Sequence, residues 1–157
     1  MDINAAIIDQ RLAPIVDIIR EQAIEELGIK DENRLKSLAF VYLCVKTILD
    51  LEGDDTFDCL TEGGGDFGVD AIHISEEHDG EFTVSLFQGK YKNNLEGDTN
   101  FPENGINALI NAINYLFNPT AEDLNVKGMV RNKRLAKSIN DAAWSTFRQW
   151  LEYFGCR

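Results

Sequence analysis

Gly63-Gly64-Gly65-Asp66-Phe67-Gly68-Val69-Asp70-Ala71-Ile72-His73-Ile74-Ser75 runs from a glycine cluster into alternating apolar residues, the pattern of a strand entered through a turn. Beyond an acidic, glycine-bearing connection, Thr83-Val84-Ser85-Leu86-Phe87-Gln88-Gly89-Lys90-Tyr91 repeats that pattern, so residues 67–75 and 82–90 pair as a hairpin. Directly opposed residues of an antiparallel pair share a face. A two-residue turn at Asp79-Gly80 sets Asp70 against Gly89 and splits the polar residues between two faces. A three- or five-residue loop centred on Asp79 instead sets Asp70 against Gln88, Ile72 against Leu86 and Ile74 against Val84, with Lys90 next on that face. The apolar pairs favour the second register.

Working outward, residues 57–61 read as a further strand, preceded by two helices and followed by two more. The first helix covers residues 14–27, with Pro14 in its first turn, Gly28 after its last, and Ile15, Ile18, Ile19, Ile24 and Leu27 on its apolar face. The second spans about 32–51, is apolar on most sides from Leu38 to Val45, and stops at Gly53. Pro102 opens a third over 102–117, carrying Ile106, Leu109, Ile110, Ile113 and Leu116, and the last covers about 132–153. The expected order is α-α-β-β-β-α-α, an α/β sandwich whose small, mostly antiparallel sheet is flanked by helices. Residues 125–130 are the one candidate for a fourth strand.

A chain of 157 residues that is 44% hydrophobic makes one domain, 1–157, and its end directly after a helix is what the N-terminal part of a longer protein would show. No apolar run reaches the roughly 18–20 residues that span a bilayer, and the start lacks the order of a signal peptide, so no membrane partner and a cytoplasmic location are expected. Cys44, Cys59 and Cys156 are odd in number and share no C-x-x-C spacing, which excludes a disulfide framework and a zinc knuckle. A formal charge of −12 and a pI near 4.5 oppose nucleic-acid binding in general. The charge is uneven: Lys127, Arg131, Lys133, Arg134 and Lys137 form a run without an acid, fit either for a phosphate backbone or for a solvated helix face.

Gly63-x-Gly65-x-x-Gly68 spells a dinucleotide fingerprint but leads into a strand rather than out of one. Asp66-Phe67-Gly68 spells a kinase triplet without the accompanying loops, and residues 52–58 lack the EF-hand core. His73 and His78 have no third ligand in their neighbourhood of the sequence and read as strand histidines.

Asp70, Gln88, Gly89 and Lys90 remain. Phosphodiester hydrolysis uses a hard divalent cation, which takes carboxylate and carbonyl oxygens. Asp70 supplies a carboxylate, Gln88 a side-chain carbonyl and Gly89 a backbone carbonyl, while Lys90 can hold the attacking water or offset developing charge. The glycine-rich entry ending Gly68-Val69-Asp70-Ala71, followed by a strand ending Gln88-x-Lys90-Tyr91, resembles the signature of the Mrr-like branch of PD-(D/E)XK restriction-endonuclease-like nucleases. It is similar also to the N-terminal domain of abortive-infection phage-resistance (AIPR-type) proteins, which have a helix like that over 39–49. The resemblance covers roughly 38–117. It implies a Mg²⁺- or Mn²⁺-dependent DNA endonuclease in phage or foreign-DNA defence. Asp70 and Gln88 would then lie in the metal site and Lys90 would be catalytic. DNA becomes the partner, a homodimer the arrangement in which many such enzymes cut both strands, and further domains would read the target. The family usually draws one more acid from an upstream helix. Here Glu25 is the first candidate, with Glu26, Glu62 and Asp66 behind it. The rival expectations are a restriction-like fold without catalysis, serving as a binding or assembly module, and an acidic interaction protein.

Overall fold

The first helix, α1 (Ile3–Glu26), begins a full eleven residues before Pro14 and passes through it. A proline there removes one N–H and leaves the carbonyl of Gln10 without its intrahelical donor. Both residues are exposed, a setting in which solvent can satisfy such a carbonyl, and the helix continues. The structure, a computed structural model, describes residues 3–61, 68–76, 78–79, 81–91, 103–116 and 137. The buried stripe of α1 is Leu12, Val16, Ile19 and Ala23, at spacings of four, three and four. Ile18 is 67% exposed and Ile24 36%, so two of the isoleucines expected in the core lie outside it. Gly28, at φ +68°, turns the chain out of α1, and Ile29 N–H donates to Ala23 O at 2.9 Å.

In α2 (Glu32–Leu49), Asp31 caps the N-terminus by accepting from Arg34 N–H at 3.0 Å. Leu35, Leu38, Ala39, Val41, Tyr42 and Val45 are buried, and most pack with the α1 stripe in a single core. The helix ends at Asp50, which takes the left-handed conformation (φ 53°, ψ 42°), and not at Gly53. Gly53 opens α3 (Gly53–Asp58), where residues 57–61 were expected to be extended. Local hydrogen bonding decides this. Thr56 Oγ1 donates to Glu52 O at 2.6 Å, and Asp54 and Asp55 complement the positive end of the new helix. Tyr42 Oη and Lys46 Nζ donate to Gly53 O and Leu51 O at 3.3 and 2.9 Å, tying the turn between α2 and α3 to α2.

The sheet consists of β1 (Ala71–Ile74) and β2 (Val84–Phe87), antiparallel. On the other side of β1 the chain makes one bridge, Leu60 to Ala71, with Thr61 N–H donating to Asp70 O at 3.0 Å and Ile72 N–H to Cys59 O at 2.8 Å. The expected first strand is thus reduced to a short helix and this bridge. α4 (Glu103–Leu116) follows the sheet and buries small residues, Gly105 and Ala112. Its Ile106, Ile110 and Ile113 are 50%, 48% and 42% exposed, the reverse of the face expected from apolar spacing. Among the described residues the chain is therefore a mixed α/β protein of four helices and a small two-stranded antiparallel sheet. None of these helices is long and apolar enough to cross a membrane. The expected last helix over 132–153, the strand candidate at 125–130 and all of the basic run but Lys137 lie outside the described residues; Lys137 is helical and exposed.

Candidate active site at the open end of the hairpin

The pairing is Ala71 with Phe87, Ile72 with Leu86, His73 with Ser85 and Ile74 with Val84, the register in which Asp70 comes opposite Gln88. It is reached by an unexpected route. His78 and Glu81 exchange both backbone hydrogen bonds at 2.9 Å around a tight two-residue turn, with Asp79 at φ 53°. Such a turn alone would set Asp70 against Gly89. Between Ser75, which pairs with Thr83 (N–H to O, 2.9 Å), and His78 lie three chain steps, against two on the other strand. This β-bulge shifts the register by one. Ser75 Oγ accepts a second bond from Thr83 N–H at 2.8 Å and secures the shift.

Asp70 is half-buried, held by its backbone between two neighbours: its carbonyl accepts from Thr61 and its N–H donates to Phe87 O at 2.8 Å. Its carboxylate Oδ2 accepts from Gly89 N–H at 2.7 Å, a charge-assisted bond that fixes the acid against the end of β2. Gly89 lies tight on α2. A Cβ there would come within 2.9 Å of Val41 Cγ2 and 3.3 Å of Phe40 Cδ1, which explains a glycine between Gln88 and Lys90. Gly68, at φ +74°, makes room on the other side: a Cβ would meet Gln88 Nε2 at 2.9 Å and Ala108 Cβ of α4 at 3.0 Å. Gln88 is therefore packed over a bare backbone with α4 behind it. Its Oε1 is buried and, among the described residues, accepts no hydrogen bond.

A carbonyl oxygen buried without a donor costs about 1–3 kcal/mol, and native proteins keep few of them. A cation beside Gln88 Oε1 would remove that penalty, and the Asp70 carboxylate opposite is the right charge to share it. The pair thus fits a hard divalent ion chemically. Among the described residues, no three His, Cys, Asp or Glu side chains gather into a metal-ligating group. Lys90 is exposed and lines a cleft of about 220 Å³ together with Phe40, Val41, Cys44, Phe87, Gln88 and Gly89. Burial pushes the Cys44 thiol up, which keeps it protonated and inert there.

Glu25 is not brought to this cluster. It is exposed on the last turn of α1, beyond Arg20, whose exposed pair with Glu32 joins α1 to the start of α2. The α1 acid that does approach is Asp9, about 24 Å further back along the helix at the usual 1.5 Å rise. Its carboxylate accepts from the Tyr91 hydroxyl and pairs with Lys36 Nζ at 3.4 Å. Tyr91 and Lys36 hold the Asp9 carboxyl below its ordinary range, while burial and Asp9 push the Tyr91 phenol up to about 12. Asp9 lies one turn before Leu12 on the continuation of the buried stripe, a signal hidden from any reading that starts the helix at Pro14. Glu26 is likewise exposed at the end of α1, and Glu62 and Asp66 lie outside the described residues. No family model matches the chain, and neither a curated protein nor a solved structure matches it.

Proposed function

We propose that the chain is a metal-dependent endonuclease domain of the PD-(D/E)XK restriction-endonuclease-like class, of the Mrr-like or AIPR type, which hydrolyses DNA phosphodiesters in phage or foreign-DNA defence. The observation that carries this reading is the buried Gln88 Oε1, to which no donor among the described residues is bonded, at the end of the hairpin where the Asp70 carboxylate accepts from Gly89 N–H and Lys90 follows. Asp70 and Gln88, with the Gly89 carbonyl, would hold Mg²⁺ or Mn²⁺. Such an ion supplies charge neutralisation at the phosphate and a more acidic bound water. The chain's own groups do the rest. Gly89 N–H keeps the Asp70 carboxylate aimed. Lys90 donates to a phosphate oxygen or to the attacking water, and its exposure leaves room for a strand to reach it.

A second reading, a restriction-like module without catalysis, draws on Asp70 being the one carboxylate at the hairpin end among the described residues, since neutral carbonyls bind Mg²⁺ less strongly than carboxylates do. Cleavage of plasmid DNA in Mg²⁺ by the parent and by Lys90→Ala separates the two. The nuclease reading expects the parent to cut and Lys90→Ala to lose about 10²–10³-fold in rate with its melting temperature kept, because an exposed lysine contributes little to the fold. Equal rates for both proteins would remove Lys90 from the site, and a parent that cuts nothing would favour the module.

A further inference from the structure

Lys90 is exposed, yet the residues on each side of it are fixed. On one side, Gly89 N–H is bound to Asp70 and its α-carbon is pressed against Val41 and Phe40. On the other, the Tyr91 hydroxyl is bound to Asp9 of α1, eighty-two positions away in sequence, and its ring lies 6.0 Å from that of Phe40, tilted by 38°. Lys36 Nζ, one turn before Phe40 on α2, pairs with the same Asp9 oxygen at 3.4 Å. β2 has already ended at Phe87, so no ladder hydrogen bonds hold this segment. What holds it is a clasp between two helices and a tyrosine.

We propose that Asp9 and Tyr91 are positioning residues for Lys90: the clasp fixes the backbone on the far side of the lysine, so that its ammonium group is presented from a rigid base toward the Asp70–Gln88 end of the hairpin. The proposal rests on the nuclease reading for its catalytic consequence. Neither residue touches the reacting atoms. Their effect is on the orientation of Lys90, and misplacement of a catalytic group by about 1 Å can cost as much as 10²-fold in rate.

The test uses the full chain in four forms: parent, Tyr91→Phe, Asp9→Ala and Asp9→Asn. Tyr91→Phe keeps the ring on Phe40 and deletes the hydroxyl, while the amide oxygen of Asp9→Asn still accepts from the phenol. In Mg²⁺-dependent plasmid cleavage, Tyr91→Phe and Asp9→Ala should lower kcat by about 10-fold with KM and Mn²⁺ affinity kept, and Asp9→Asn should retain most of the parental kcat. Amide hydrogen exchange gives a readout that needs no activity. Lys90 and Tyr91 should exchange faster in Tyr91→Phe and Asp9→Ala, with α2 protection unchanged. Parental kcat in both variants alongside a lowered melting temperature would reduce the clasp to a structural tie and overturn the proposal. So would a parallel loss of kcat and Mn²⁺ affinity, which would mean the whole site had shifted. A parent that does not cut overturns the nuclease reading itself, and the exchange data then still report whether the clasp holds the segment.

Discussion

Asp70→Asn is expected to leave the protein folded and to abolish cleavage, with a loss of at least about 10²–10³-fold in kcat/KM. The side-chain oxygen of the asparagine can still accept from Gly89 N–H, now bound to Asp70 at 2.7 Å, so the end of β2 keeps its anchor. What disappears is the negative charge that makes Gln88 Oε1 and its surroundings attractive to a cation. Asp70→Ala should add a stability cost by deleting the bond as well, about 1.5–3 kcal/mol for a hydrogen bond to a charged group and toward the lower figure because Asp70 is only half-buried. The two variants separate anchoring from chemistry. Parental cleavage by Asp70→Asn, measured beside its thermal melt, would remove the aspartate from the mechanism.

The second large effect concerns the fold. Phe57→Ala should lower unfolding free energy by about 3–5 kcal/mol, a sizeable share of the roughly 5–15 kcal/mol of a typical domain. Phe57 is fully buried at 0% exposure and belongs to the same core as Leu12, Val45, Leu60 and Ala71, so its loss opens a cavity in that core. Urea denaturation should show a lower midpoint with an unchanged slope. A loss below about 1 kcal/mol would mean the side chain is not at the centre of the core.

Phe57 also marks a limit of reading structure from sequence. Residues 57–61 carry the aromatic and β-branched side chains of a strand, but the turn is set by Thr56 Oγ1 on Glu52 O, a bond within one turn that such content does not register. Pro14 misleads for a similar reason. Its usual place is the first turn, and only its exposure lets α1 run through it, which in turn conceals Leu12 and Asp9. On α4 the buried positions are Gly105 and Ala112, and Ala108 comes so near Gly68 that a Cβ there would lie 3.0 Å from its own, a close approach that apolar spacing does not register. By contrast, α2 was legible, because continuous apolar spacing is a local signal, although its cap at Asp31 went unread. The pairing of Asp70 with Gln88 was legible from Ile72–Leu86 and Ile74–Val84, because side-chain period fixes register. The bulge that achieves it was not. It depends on Ser75 bonding twice to Thr83, and a loop of another length would have satisfied the same pairs.

Anomalous diffraction from crystals of the full chain soaked in Mn²⁺ tests the central claim most directly. The site proposed here predicts a manganese peak within coordination distance, about 2.0–2.6 Å, of both an Asp70 carboxylate oxygen and Gln88 Oε1. A manganese ion bound elsewhere on the chain with none between these two side chains, or no bound manganese at all, would contradict it.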